Sequence, residues 1–271
     1  MKTQLFKNAL TYSLPEMESV VVQNVEYCNV GDTSLTMDIY YPSVMEADAR
    51  LAVVIFVVGY TDTAAQRMVG SPLKDWGPFI SWCRLTAAAG LIAITHQTQQ
   101  PDDIEVLVEY IRENDASLNI DSDRIGVWSC SANSPTAISF AIQEDLRYIK
   151  FAVFYYSLML TSAKQFREEI NSLCAPRGCY AAELKDIEQL RKDLPLLIVR
   201  AGNDDVPYVN ESIDHLVNVA TEGDIPLTLV DFKEGIHGFD VKEFWPKAPH
   251  AKSGEIVRQT LEFMRSNLAI E

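Results

Sequence analysis

Gly126-Val127-Trp128-Ser129-Cys130-Ser131-Ala132-Asn133-Ser134-Pro135 reads as an apolar strand that runs into small polar residues and then into a helix. Pro135 falls in the first helical turn, where its missing N–H costs little. A tight turn between a buried strand and a helix lifts one side chain above the sheet. It also aims the next residue's N–H, that of Ala132, toward the same space. The helix N-terminus adds a field that favours developing negative charge. Ser131, at the centre of the turn, is therefore the candidate nucleophile. Ser129 and Cys130 compete with it, and a helix N-cap is the other common use of serine at such a junction.

Outward from this stretch the chain alternates two patterns. Leu51 to Val58 is continuously apolar, as a parallel strand buried on both faces must be. Leu91 to Thr95, Arg124 to Trp128, Phe151 to Tyr156 and Leu196 to Arg200 resemble it, and Leu227 to Asp231 is a shorter run. Val20 to Tyr27 and Ser34 to Tyr41, with Gly31-Asp32 between them, read as an antiparallel pair. Helical patterns cover Lys74 to Ala89, Asp102 to Asn114, Ala132 to Asp145, Asn210 to Ala220 and Gly254 to Leu268. The second of these places Ile104, Leu107, Val108 and Ile111 on one face. Strands alternating with helices predict an α/β fold with a mostly parallel sheet covered on both faces. Residues 158–193 interrupt the rhythm and read equally as a small cap over the strand ends or as a surface insertion. Trp76, Phe79 and Trp82 share one helical pattern and read as core.

From about Val20 onward the chain resembles the α/β-hydrolase family, and within it the dienelactone-hydrolase and acyl-esterase branch. The family's Gly-x-Ser-x-Gly stands here as Ser129-Cys130-Ser131-Ala132-Asn133, with both glycines replaced by small polar residues. The resemblance implies one α/β-hydrolase domain over residues 1–271, an eight-stranded sheet and a cap at 158–193. It also implies a triad in the chain order Ser, Asp, His. Pro195-Leu-Leu-Ile-Val-Arg-Ala-Gly-Asn-Asp204-Asp205-Val-Pro207 looks like the acid strand and its loop. Asp204 fits the acid position, and Asp205 is the alternative. His237, in Lys233-Glu-Gly-Ile-His-Gly-Phe-Asp240, matches the family's histidine loop. Histidine ionises near neutrality, so it can take the serine proton and return it to a leaving group, while an acid partner fixes its tautomer. The oxyanion donors implied are the backbone N–H groups of Tyr60 and Ala132. Gly59, His96, Cys130, Tyr155 and Tyr156 stand at strand ends where they would line a pocket.

Composition narrows the function classes. The 271 residues carry a formal net charge of −15, which repels phosphate backbones and anionic lipid and disfavours nucleic-acid or membrane partners. A chain of this length buries roughly three-quarters of its unfolded surface and needs no disulfide or metal staple. The five cysteines, an odd number, show no framework spacing, and the histidines never pair at metal-ligand spacing. Neither a metal nor a cofactor is expected. The N-terminus lacks the apolar run of a signal peptide and no stretch is long enough to span a bilayer, so a cytoplasmic location is expected. A homo-oligomer stays open. The expected function is a serine hydrolase that cleaves a small carboxylic ester through an acyl-enzyme. Alternatives are a peptidase, thioesterase or lactone hydrolase on the same triad, or a non-catalytic ligand-binding member of the fold.

Overall fold

The computed structural model describes residues 7–46, 48–143, 145–159, 168, 172, 190–246 and 250–268. Eight strands form one sheet: β1 (Val21–Val30), β2 (Thr33–Tyr41), β3 (Leu51–Phe56), β4 (Ile92–His96), β5 (Ile120–Cys130), β6 (Ile149–Tyr155), β7 (Leu196–Ala201) and β8 (Leu227–Phe232). Their spatial order is β1-β2-β4-β3-β5-β6-β7-β8, with β1 and β2 antiparallel and the remaining neighbours from β4 to β8 parallel. This is the mostly parallel eight-stranded sheet that the sequence predicts.

Six α-helices lie among the described residues: α1 (Asp62–Val69), α2 (Gly77–Ala88), α3 (Asp103–Glu113), α4 (Ser134–Ala141), α5 (Val209–Glu222) and α6 (His250–Asn267). The strand order assigns their faces. From β3 to β4 the chain steps one way across the sheet, whereas from β4 to β5, β5 to β6 and β7 to β8 it steps the other way. Right-handed crossovers then put α2 on one face and α3, α4 and α5 on the opposite one. Tyr155 of β6 ties α6 to the face of α2: its ring meets Trp82 at 5.3 Å, and its hydroxyl meets Thr260 Oγ1 at 2.5 Å. Cover on both sides explains why β3 and β6 are buried almost end to end.

Two helices differ from the sequence reading. The pattern from Lys74 starts in a 3-10 turn over Leu73–Asp75 and becomes an α-helix only at Gly77, because Pro78 must sit in the first turn and Trp76 is extended (ψ 136°). Helix α1 was not anticipated, although its signals are present. Thr61 caps it by accepting the Ala64 N–H at 3.1 Å, and Gly70 closes it in the left-handed conformation (φ 84°). The proposed cap falls almost wholly on residues outside the described set, as do Cys174 and Cys179. The described cysteines, Cys28, Cys83 and Cys130, are free thiols. Among the described residues no helix is long and apolar enough to cross a membrane.

The core under the site is aromatic. Trp128 of β5 packs on Phe56 of β3 (5.0 Å) and on Trp82 of α2 (5.1 Å). Two positions earlier on β5, Gly126 lies against the ring of Phe151, and a Cβ there would sit 2.1 Å from Phe151 Cζ. Both residues are locked in the sheet's interior, so Gly126→Ala should destabilise the fold by about 1–3 kcal/mol through overpacking. Urea denaturation measures this, and Phe151→Leu in the same chain should recover part of the loss.

Candidate active site

Strand β5 ends at Cys130, and Ser131 takes φ +53°, in the left-handed region that non-glycine residues rarely occupy. Such a conformation costs about 1–3 kcal/mol and persists only where the surroundings impose it. A 3-10 turn over Ser131–Asn133 leads into α4, and the Leu158 N–H donates to the Ser131 carbonyl at 3.1 Å. The Ala132 N–H lies in the first turn of this helical segment, where backbone donors lack intrahelical acceptors.

Asn133 occupies the position where the family pattern has its second glycine. Its amide bridges the elbow: Oδ1 accepts the Gly59 N–H at 2.8 Å, and Nδ2 donates to the Cys130 carbonyl at 3.2 Å. The close approach that a glycine would permit is met from the other side. A Cβ on Gly59 would lie 2.6 Å from Asn133 Cα. Gly59 therefore supplies backbone proximity and does not line the cavity described below, contrary to the sequence reading.

The Ser131 hydroxyl lies 2.9 Å from His237 Nε2, and His237 Nδ1 lies 2.8 Å from Asp204 Oδ2. An ionised carboxylate only accepts, so Nδ1 carries the proton and Nε2 presents a lone pair to the serine. Asp204 Oδ1 is engaged as well, accepting the Val206 N–H at 2.9 Å. The Asp204 carboxylate is buried, whereas Asp205 is exposed. Backbone bonds clamp the acid and histidine loops together: Gly202 donates to Phe232 and Asn203 to Gly235, each at 2.8 Å. Gly202 is required there, because a Cβ would lie 2.4 Å from the Lys233 carbonyl oxygen. Of the competing nucleophiles, Ser129 is fully buried beside the Val57 carbonyl (3.5 Å). Burial, reinforced by the charge of Asp240, drives the Cys130 thiol far above its ordinary pKa.

Beside Ser131 and His237 opens a cavity of about 290 Å³. Of the residues placed at strand ends, Tyr60, Cys130 and Tyr156 line it, and His96 and Tyr155 do not. His96 is 1% exposed and enclosed by backbone, with Nε2 accepting the Val58 N–H at 3.3 Å and Nδ1 at 3.0 Å from the Gln97 carbonyl. Burial pushes its pKa down to about 4 and keeps the ring neutral. Tyr155 is turned into the core against α6. In their place stand Trp76, Phe79 and Trp82, read from the sequence as core: they pack against it and also face the cavity, together with Met68 and Val69 of α1.

Asp240 is a cavity-lining residue that sequence reasoning left without a role. Its carboxylate accepts from Tyr156 Oη (2.7 Å) and Trp82 Nε1 (2.8 Å), and burial raises its pKa above the ordinary carboxylate value. The Tyr156 ring lies 4.7 Å from that of His237, and Tyr156 itself is held at φ +36°. The signal was present in His237-Gly-Phe-Asp240, where an acid two residues past a histidine follows an apolar anchor. Nothing in one dimension shows that it meets Trp82, 158 positions away. No group of acidic, thiol and imidazole side chains among the described residues is arranged to hold a metal ion.

Replacing Asn133 with the motif's own residue should weaken the protein. Asn133→Gly leaves the buried Gly59 N–H without its acceptor, which costs about 1–3 kcal/mol. Urea denaturation checks this, and a more stable variant would overturn the role given to the amide.

No family model matches this sequence, and no curated protein matches it. Solved structures do. EstE1, a thermophilic carboxylesterase cloned from a metagenomic library, is 18% identical, with 92% of this chain and 89% of that one covered and a TM-score of 0.67. Thermogutta terrifontis esterase 2, phosphoramylated by tabun, is 16% identical over 92% and 96% of the two chains, with a TM-score of 0.66. A thermostable esterase from Pseudomonas putida ECU1011 is 14% identical over 94% and 85%, with a TM-score of 0.69. At these identities the likeness is one of fold: this chain has the α/β-hydrolase architecture of those esterases.

Proposed function

We propose that the protein is a serine hydrolase that cleaves a small carboxylic ester through an acyl-enzyme. The observation that carries the reading is the continuous hydrogen-bonded chain Ser131–His237–Asp204 at a residue held in a strained turn. Ser131 Oγ attacks the ester carbonyl while His237 Nε2 takes its proton, and the tetrahedral oxyanion forms near the Ala132 N–H. Tyr60 N–H is the second donor in this reading, on the loop that Asn133 pins to the elbow. Collapse expels the alcohol, which takes the proton from His237. Water activated by the same histidine then releases the acid. Asp204 orients the ring and stabilises the imidazolium without being protonated itself. The carboxylesterase neighbours support ester over amide chemistry, and the tabun adduct of one of them supports probing with organophosphorus reagents.

A fluorophosphonate probe should label the native protein and leave Ser131→Ala unlabelled. A folded native protein that resists the probe would overturn the reading in favour of a non-catalytic binding protein.

Asp204→Asn should lower kcat by about 10⁴-fold, since an amide in place of the acid favours the wrong histidine tautomer. Asp205→Asn should stay within a few-fold of the native enzyme. The opposite ranking in steady-state hydrolysis of p-nitrophenyl acetate would move the acid by one residue.

A further inference from the structure

Beside the triad lies a buried acid, Asp240, whose carboxylate also acts on His237 through space. The Asp240 side chain belongs to a residue only 1% exposed, yet it borders the cavity. Both of its hydrogen-bond partners, the Trp82 indole and the Tyr156 hydroxyl, are neutral donors. Each oxygen thus accepts a hydrogen bond from a neighbour, and an ionised carboxylate can only accept. A buried carboxylate is costly unless a positive charge accompanies it. Among the described residues no Lys or Arg lines the cavity, the ion pairs found elsewhere do not include Asp240, and His237 is the base beside it.

The remaining walls are largely aromatic and aliphatic. Trp76, Phe79, Trp82, Trp128, Tyr156 and Phe244 border the cavity. A ring that meets a bound group with its face presents the negative part of its quadrupole and attracts a cation, as the carboxylate does. Exclusion of water strengthens both effects. At the rim, Met68 and Phe244 are about half exposed (51% and 49%), so the approach to the cavity is apolar. The chain's net charge of −15 raises the local concentration of cations around the whole molecule.

We propose that the cavity binds a methylated ammonium group, and that the substrates are esters carrying such a permanent cation. A primary ammonium gives up strong hydration and needs several acceptors, whereas the lining is mostly aromatic and aliphatic. A quaternary ammonium spreads its charge over methyl groups and meets ring faces without hydrogen bonds. The size agrees: a cavity of 290 Å³ takes on the order of ten water-sized groups, about the heavy-atom count of phenyltrimethylammonium. That this ligand is part of a substrate rests on the ester-hydrolase reading; that the cavity holds it does not.

The test separates the two. Three of the chain's four tryptophans line the cavity, so their fluorescence reports occupancy without any turnover. Phenyltrimethylammonium should bind at least about tenfold more tightly than its neutral isostere tert-butylbenzene. In Asp240→Asn the ratio should fall toward one while tert-butylbenzene still binds. If that variant does not fold, the ratio in the native protein decides alone. In turnover, acetylcholine should be cleaved with a higher kcat/KM than 3,3-dimethylbutyl acetate. Equal binding of the two isosteres, or tighter binding of the neutral one, overturns the proposal even if both acetates are hydrolysed. Tight cation binding with no hydrolysis of either acetate sustains the binding site and removes the hydrolase reading instead.

Discussion

Across a gap too narrow for a Cβ, the N–H of Gly59 donates to the side-chain amide of Asn133, and the site depends on that contact. It joins the loop after β3 to the turn after β5, two strands that are neighbours in the sheet. The same amide reaches back to the Cys130 carbonyl, so one side chain ties both sides of the residue that must hold a positive φ. A strained turn needs partners that over-determine it. Here they are a glycine that yields space and an asparagine that fills the resulting polar vacancy. The turn itself carries no glycine, and Gly59 across the gap makes the room.

Sheet order then brings the other groups to the elbow. Strands β5 to β8 lie side by side and point the same way, so the loops after β5, β7 and β8 open at one end. Gly202 and Asn203 fasten the acid loop to the histidine loop through backbone bonds. The N-terminal segment secures the far side of the histidine loop: Thr11 donates to the Asp240 carbonyl and Lys242 to that of Ala9, each at 2.8 Å. The distances within Ser131–His237–Asp204 are thus set by main-chain bonds, leaving side-chain freedom little to decide.

The walls of the cavity come from a different part of the chain. Helix α1 and the segment entering α2 bring Met68, Val69, Leu73, Trp76 and Phe79 over the end of the sheet, opposite Tyr156 and Phe244. The Tyr156 ring lies against His237 while its hydroxyl holds Asp240, so the cavity wall and the candidate base share one residue. A charge or volume change at Asp240 would consequently be felt at the histidine as well as in the cavity.

Local pattern and chain order were enough for part of this structure. Continuous apolar runs specify strands buried on both faces, and the alternation with helices specifies a parallel sheet. Ser131, Asp204 and His237 were readable because each follows such a run by a few residues. Tertiary structure alone decided what depends on side-chain direction and long-range approach. His96 and Tyr155 end their strands and Tyr156 follows directly, but the pleat turns the first two into the protein while the strained backbone of Tyr156 turns its ring toward His237. Trp82 looks like core by its spacing, yet it is both core and cavity wall. Asn133 looked like a defect in a motif because its acceptor role requires Gly59, 74 residues away. Asp240 acquires its meaning only when β6, α2 and the histidine loop close around it. Periodicity records which face of an element is apolar; which atoms meet across the gaps between elements is fixed only when the elements pack.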